Sequence, residues 1–226
     1  MPDIYADTSD GVISKSASSY TSAREASSGT VNSSGQGVVG VAAEYIQGRR
    51  GSIFYNVRRS FFAFDISGIS SCTAATLNLY GSSDASSDDG IIVLRSTAFG
   101  GDGATALAAG DFNAIHGWNG GGAMLNNSTP YGNGQTSGWS LTGYNSITLD
   151  QNNIANIIGN ASNNYLLLAV VDYAYDYLKV GPPGVNNIGI WFSDSQAGKR
   201  PYLEITTGHE STGNSVNTVL LADIAK

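Results

Sequence analysis

The stretch Arg59-Ser60-Phe61-Phe62-Ala63-Phe64-Asp65-Ile66 decides the fold class. It is the centre of a longer β-prone segment, Ser52 to Ser67, and offers three phenylalanines to a core. A few residues on, Ala74 to Tyr80 alternates strictly. Ala75, Leu77 and Leu79 point one way, and Thr76, Asn78 and Tyr80 point the other, as in a half-buried strand. Working outward, the same short runs recur between turn residues. They are Gly11 to Lys15, Gly37 to Glu44, Ile91 to Thr97, Asn145 to Leu149, Ile188 to Asp194 and Pro201 to Thr207. Tyr165 to Val171 (YLLLAVV) is almost continuously apolar, which predicts a central strand covered on both faces.

One helical segment interrupts this pattern. Asp150 is placed to cap it, Ile154, Ile157 and Ile158 fall on one face, and Gly159 closes it. Eight or nine strands with a single short helix predict an all-β, antiparallel jelly-roll β-sandwich. A parallel α/β fold would need a helix between most strands. The sandwich is expected to span residues 1–207, and residues 208–226 to form a C-terminal tail. Gly100 to Gly143 reads as a Gly-, Asn- and Ser-rich surface excursion pinned by aromatics.

Composition narrows the function. The chain has 226 residues, of which only 13% are charged, with net charge −7. Eleven basic residues are too few for a phosphate-neutralising surface, so nucleic acid is not an expected partner. Cys72 is the single cysteine, so no intrachain disulfide staples the fold, and it reads as a small buried apolar side chain. The N-terminus lacks the pattern of a signal peptide and no stretch is long enough for a transmembrane helix. The expectation is synthesis in a cytoplasm, with no membrane partner.

Catalytic chemistry finds little to work with. The two histidines, His116 and His209, are isolated from any nucleophile motif, and one cysteine with two distant histidines does not make a zinc site. Asp65, Asp172, Asp176, Asp194 and Glu204 show no sign of converging as a pair, and Asp65 and Asp194 sit where turn capping is expected. Asp84, Asp88 and Asp89 read as turn residues, with calcium ligation as the alternative. No enzyme activity and no cofactor are expected. Tyr173, Tyr175 and Tyr177 would share one face if extended, either stacking on a sugar or partner or covering the core. Trp118 and Trp139 are further candidates for glycan or partner contact.

Three segments together carry a resemblance. The opening, Asp10 to Ser14 with Ser19 to Ala26, resembles the start of many phage-encoded proteins. Arg59 to Ile69 with Ala74 to Gly81, and Gly189 to Asp194 with Lys199 to Ile205, resemble the core motifs of DNRLRE-type and disaggregatase-related β-sandwich modules. The resemblance covers about residues 10–207, mainly at strand, turn and core positions. Some members of that group stand beside carbohydrate-active domains; others are stand-alone structural proteins of bacteriophage particles. A stand-alone module of the second sort implies a virion structural protein: a capsid decoration protein, head fibre or tail-associated subunit. Its partners would be other virion proteins and copies of itself, a trimer being one arrangement, and its location the virion. A carbohydrate-binding module is the alternative. Val219, Leu220, Leu221 and Ile224 would be assembly contacts at the end of a polar tether.

Overall fold

The computed structural model describes residues 3–33, 38–87, 90–118, 130–160, 164–194 and 198–208. The strands are β1 (Ile4–Tyr5), β2 (Gly11–Ala17), β3 (Thr30–Asn32), β4 (Val38–Gln47), β5 (Ile53–Asp65) and β6 (Ala74–Ala85). They continue with β7 (Ile91–Arg95), β8 (Pro130–Gly134), β9 (Tyr144–Leu149), β10 (Tyr165–Asp172), β11 (Asn187–Ile190) and β12 (Tyr202–Thr206). Two α-helices accompany them, α1 (Tyr20–Arg24) and α2 (Gln151–Asn160). Strand takes 46% of the structure and helical turns 16%, so the all-β expectation holds. Every strand pairing is antiparallel.

Two strands organise the sandwich. The first half of β6 lies between β12 and β9, and β1 continues that layer beyond β12. Its second half, from Gly81, pairs with β11, which in turn pairs with β4. The other hub, β5, pairs with β4 and β2 in its first half and with β10 in its second, while β7 and β8 extend the sheet past β10.

Alternation along β5, β10 and β7 explains their unbroken apolar runs. Phe62, Phe64, Leu166, Leu168, Val170, Ile91 and Val93 face the core between the layers, where Leu77, Leu79, Ile147, Leu203 and Ile205 meet them. Phe61, Ala63, Leu167, Ala169, Val171, Ile92 and Leu94 face the opposite way into a second core. That second core is covered by α1, by a 3-10 turn at Ala109–Asn113, and by Phe99, Leu107, Phe112 and Ile115. The molecule therefore has three layers, and its central sheet is buried on both faces.

Several expectations change in detail. α2 forms where expected, with Asp150 Oδ1 accepting from Asn152 N at 2.9 Å and Asn153 N at 3.1 Å. It runs through Gly159 rather than stopping there, and α1 is a second helix beyond the one expected. α1 is capped by Ser19, whose Oγ accepts from Ser22 N at 3.1 Å. Ile188 to Asp194 gives only a four-residue strand, because Trp191 leaves the ladder after its N–H bonds Tyr80 O at 3.0 Å. The Gly-rich excursion contains β8, whose Gly132 and Gly134 let it lie against Thr148 and Ile147 of β9. Cys72 is half-buried and packs against the inter-sheet core, with Sγ 3.4 Å from Ala74 O.

Candidate functional site

The strongest side-chain cluster lies beneath the cap, the layer of α1, the 3-10 turn and the Phe99 to Ile115 segment that covers the second core. Alternation puts Arg59 of β5 on the cap side, among Val57, Phe61 and Ala63. It is fully buried, and all its donors are used. Nε and Nη2 form a bidentate pair with Asp176 at 2.7 and 2.8 Å; Nη1 donates to Phe112 O at 2.9 Å and Asn113 Oδ1 at 2.8 Å. Nη2 also reaches Arg24 O at 2.9 Å. Arg24, at the end of α1, donates from Nε to Asp176 O at 2.8 Å. The two guanidinium groups lie 4.4 and 4.8 Å from the Trp118 ring, and Arg59 also stacks on Phe112 at 4.2 Å. This ion cluster ties α1, β5, the 3-10 turn and the segment after β10 into one unit.

The sequence-predicted tyrosines belong to this layer. Tyr173–Tyr177 is one π-helical turn rather than an extended run, so alternate positions do not share a face. Asp172 caps it by accepting from Tyr175 N at 2.6 Å. Tyr173 and Tyr177 stack on each other at 5.8 Å and 17° and pack against the second core. Tyr175 Oη lies 3.3 Å from Ser87 Oγ. Trp118 is half-buried over the arginines. Trp139 is only 5% exposed and lies in the inter-sheet core, with Nε1 donating to Gly189 O at 3.4 Å. Covering the core is what Tyr173, Tyr177 and Trp139 do here.

A different aromatic surface crosses the outer face of β1, β12, β6 and β9. Tyr5 lies 5.8 Å from Tyr202, Tyr202 4.8 Å from Tyr144, and Tyr144 5.2 Å from Tyr80. Beside Tyr80, Lys199 Nζ sits 5.4 Å from its ring and 4.1 Å from Trp191, while Arg200 lies 5.3 Å from Tyr5. Trp191, expected in the core, is half-buried at the edge of this strip. Tyr144 Oη has two carbonyl acceptors within reach of its one hydrogen, Gly198 O at 3.0 Å and Arg200 O at 3.1 Å, and desolvation pushes its phenol up to about 12. The signal for this strip was legible: Tyr80 and Tyr202 occupy the outward positions of two alternating strands. What the sequence withheld was the pairing that brings four strands' tyrosines together.

Two further segments expose apolar side chains. The β4–β5 hairpin extends past the end of β2, whose last pair is Ala17 with Tyr55. Its tip leaves Ile53 at 44% and Phe54 at 36% exposed. The Leu178 to Val185 loop lies alongside, with Tyr45 N donating to Gly184 O at 2.8 Å, and exposes Leu178, Val180 and Val185 at 51–57%.

The remaining candidates fall into place as turn residues. Asp65 accepts from Ser67 N at 2.8 Å and Asp84 from Ser86 N at 2.9 Å, both local turn bonds. His116 is exposed. His209, Asp88, Asp89 and the assembly candidates Val219, Leu220, Leu221 and Ile224 lie outside the described residues. Among the described residues, no group of three or more His, Cys, Asp or Glu is placed to hold a metal ion, and no helix is long and apolar enough to cross a membrane. The fold and its surfaces define an antiparallel β-sandwich scaffold with an internal ion cluster. No protein-family model matches the chain, and no curated protein matches its sequence.

Proposed function

We propose that this chain is a structural protein of a bacteriophage particle, acting by assembly and surface presentation. The observation that carries the reading is the set of exposed apolar side chains on the β4–β5 hairpin tip and on the loop bonded to β4 through Tyr45 N and Gly184 O: Ile53, Phe54, Leu178, Val180 and Val185. Exposed apolar side chains on neighbouring segments supply area for a contact with a partner. The motif resemblance at residues 59–81 and 189–205 points the same way. A scaffold with its central sheet buried on both faces suits presentation on a particle surface. The test is quantitative mass spectrometry of purified particles together with light scattering of the isolated chain. The chain should occur at a fixed copy number per particle and self-associate. Phe54→Ser combined with Val185→Ser should lower occupancy, and deletion of residues 209–226 tests the tail as a second attachment device. Absence from purified particles overturns the reading.

A carbohydrate-binding role is the second reading, favoured by the strip Tyr5, Tyr202, Tyr144 and Tyr80. Tyrosine rings present apolar faces with a polar tip, the chemistry that sugar recognition uses. A glycan array should show binding that Tyr5→Ala and Tyr202→Ala abolish. No binding by the wild-type chain rejects this role.

A further inference from the structure

The ion cluster beneath the cap is short of acceptors. Both Asp176 oxygens are taken by Arg59. Arg24, with no side-chain exposure, is left with the Asp176 carbonyl at Nε, a 3.4 Å approach of Nε to Asp176 Oδ1, and a 3.7 Å approach of Nη1 to Glu25. That Glu25 carboxylate is drawn to Lys179 Nζ at 2.7 Å. Nη1 and Nη2 of Arg24 have no hydrogen-bond partner, and neither do the buried Tyr20 Oη and Trp118 Nε1. Tyr20 stands one helical turn before Arg24, on the same face of α1, and Trp118 lies over the Arg24 guanidinium. Burial pushes the Tyr20 phenol up and the Arg24 guanidinium down, consistent with groups removed from water. The remaining nearby carboxylate, Asp172, is engaged by Tyr175 N and Asn186.

Four unpartnered buried polar atoms on three neighbouring side chains call for an acceptor, because a lone buried donor forfeits its hydration. All four are donors. A water among them would bring two further hydrogens that need acceptors of their own. An acceptor without hydrogens brings no such demand, and it adds negative charge beside an arginine whose two carboxylates are shared with Arg59 and Lys179.

We propose that the cluster holds one small inorganic anion of the chloride class, seated against Nη1 and Nη2 of Arg24, with Tyr20 Oη and Trp118 Nε1 as further donors. The ion is enclosed as the cap closes and acts as an internal strut between α1 and the Trp118 segment. This site is independent of the particle role.

Two measurements test it. Crystals grown in bromide, with data collected at the bromine edge, should show an anomalous peak within hydrogen-bond distance of Arg24 Nη. The unfolding midpoint in chloride should exceed that in gluconate at equal ionic strength. It should rise roughly 3–5 °C per tenfold increase in chloride above the dissociation constant. Arg24→Met should abolish the chloride-specific rise. Trp118→Phe, which removes one donor and keeps the ring, should weaken it and serves if Arg24→Met does not fold. A water or an empty position at Arg24 with no bromide peak, or identical midpoints in the two salts, overturns the proposal.

Discussion

At position 59 an arginine stands where its strand neighbours on the same face are Val57, Phe61 and Ala63. It is tolerated because every donor has an acceptor and its charge meets Asp176 in fork geometry. Removing one partner of such a pair strands a buried charge. Asp176→Ala should therefore cost about 3–5 kcal/mol in denaturant titrations. Asp176→Ala combined with Arg59→Leu should cost less than the sum of the two single changes. An additive double variant would show that the pair is not coupled. The sequence displays Arg59 and Asp176 only as an arginine in an apolar run and an acid among tyrosines. Nothing local indicates that residues 117 positions apart form a pair. Asp10 makes a second residue-scale case. Its carboxylate accepts from Ser193 N at 3.0 and 3.1 Å and from Ser193 Oγ at 2.7 Å, yet burial outweighs these bonds and pushes it up to about 7. Because the folded value lies above the unfolded one, the native state holds the extra proton between pH 4 and 7. Stability should then fall as pH rises through that window, with a slope of at most about 1.4 kcal/mol per pH unit from this group. Thermal melts from pH 4 to 8 should show the decline, and Asp10→Asn should remove this component.

At the scale of elements, legibility followed the number of buried faces. FFAF, IIVL and YLLLAVV read as strands because burial on both sides leaves no polar alternation to blur them. Tyr173 to Tyr177 misled, since alternating tyrosines suit a strand and only the tertiary setting turns them into a π-helical turn. The four-strand tyrosine strip was invisible as a unit because each strand contributes a single ring. The change of partners along β6 is the most exacting feature. At Gly81 the strand leaves one set of partners for the other, and the register with β11 shifts between Gly189 and Ile190. A side chain at Gly81 would overlap Ser140 O and come 2.6 Å from Trp139 Nε1. Gly81→Ala should cost about 1–3 kcal/mol through overpacking. Chemical denaturation reads the loss directly, and an unchanged midpoint would mean that the Trp139 segment moves away freely.

At the scale of the whole molecule, the central sheet serves two cores. The same backbone of β5, β7 and β10 carries the inter-sheet residues on one face and the cap-facing residues on the other. Loosening either core therefore frees the strands on which the other rests. The cap is also held by the Arg59–Asp176 pair, which anchors the segment after β10 to the middle of β5. This argues that cap and sandwich melt together although they bury separate sets of side chains. Leu77 lies in the inter-sheet core and Phe112 in the cap, both with no exposure. Leu77→Ala should cost about 2–5 kcal/mol and Phe112→Ala about 3–5 kcal/mol, each by shifting one common transition. Far-ultraviolet dichroism and tryptophan fluorescence, followed on the same samples, check this. Trp139 reports on the inter-sheet core and Trp118 on the cap, so single-tryptophan variants resolve the layers. If Phe112→Ala lowers the Trp118 transition and leaves the Trp139 transition in place, the cap is a separate folding unit and the shared sheet does not couple the two cores.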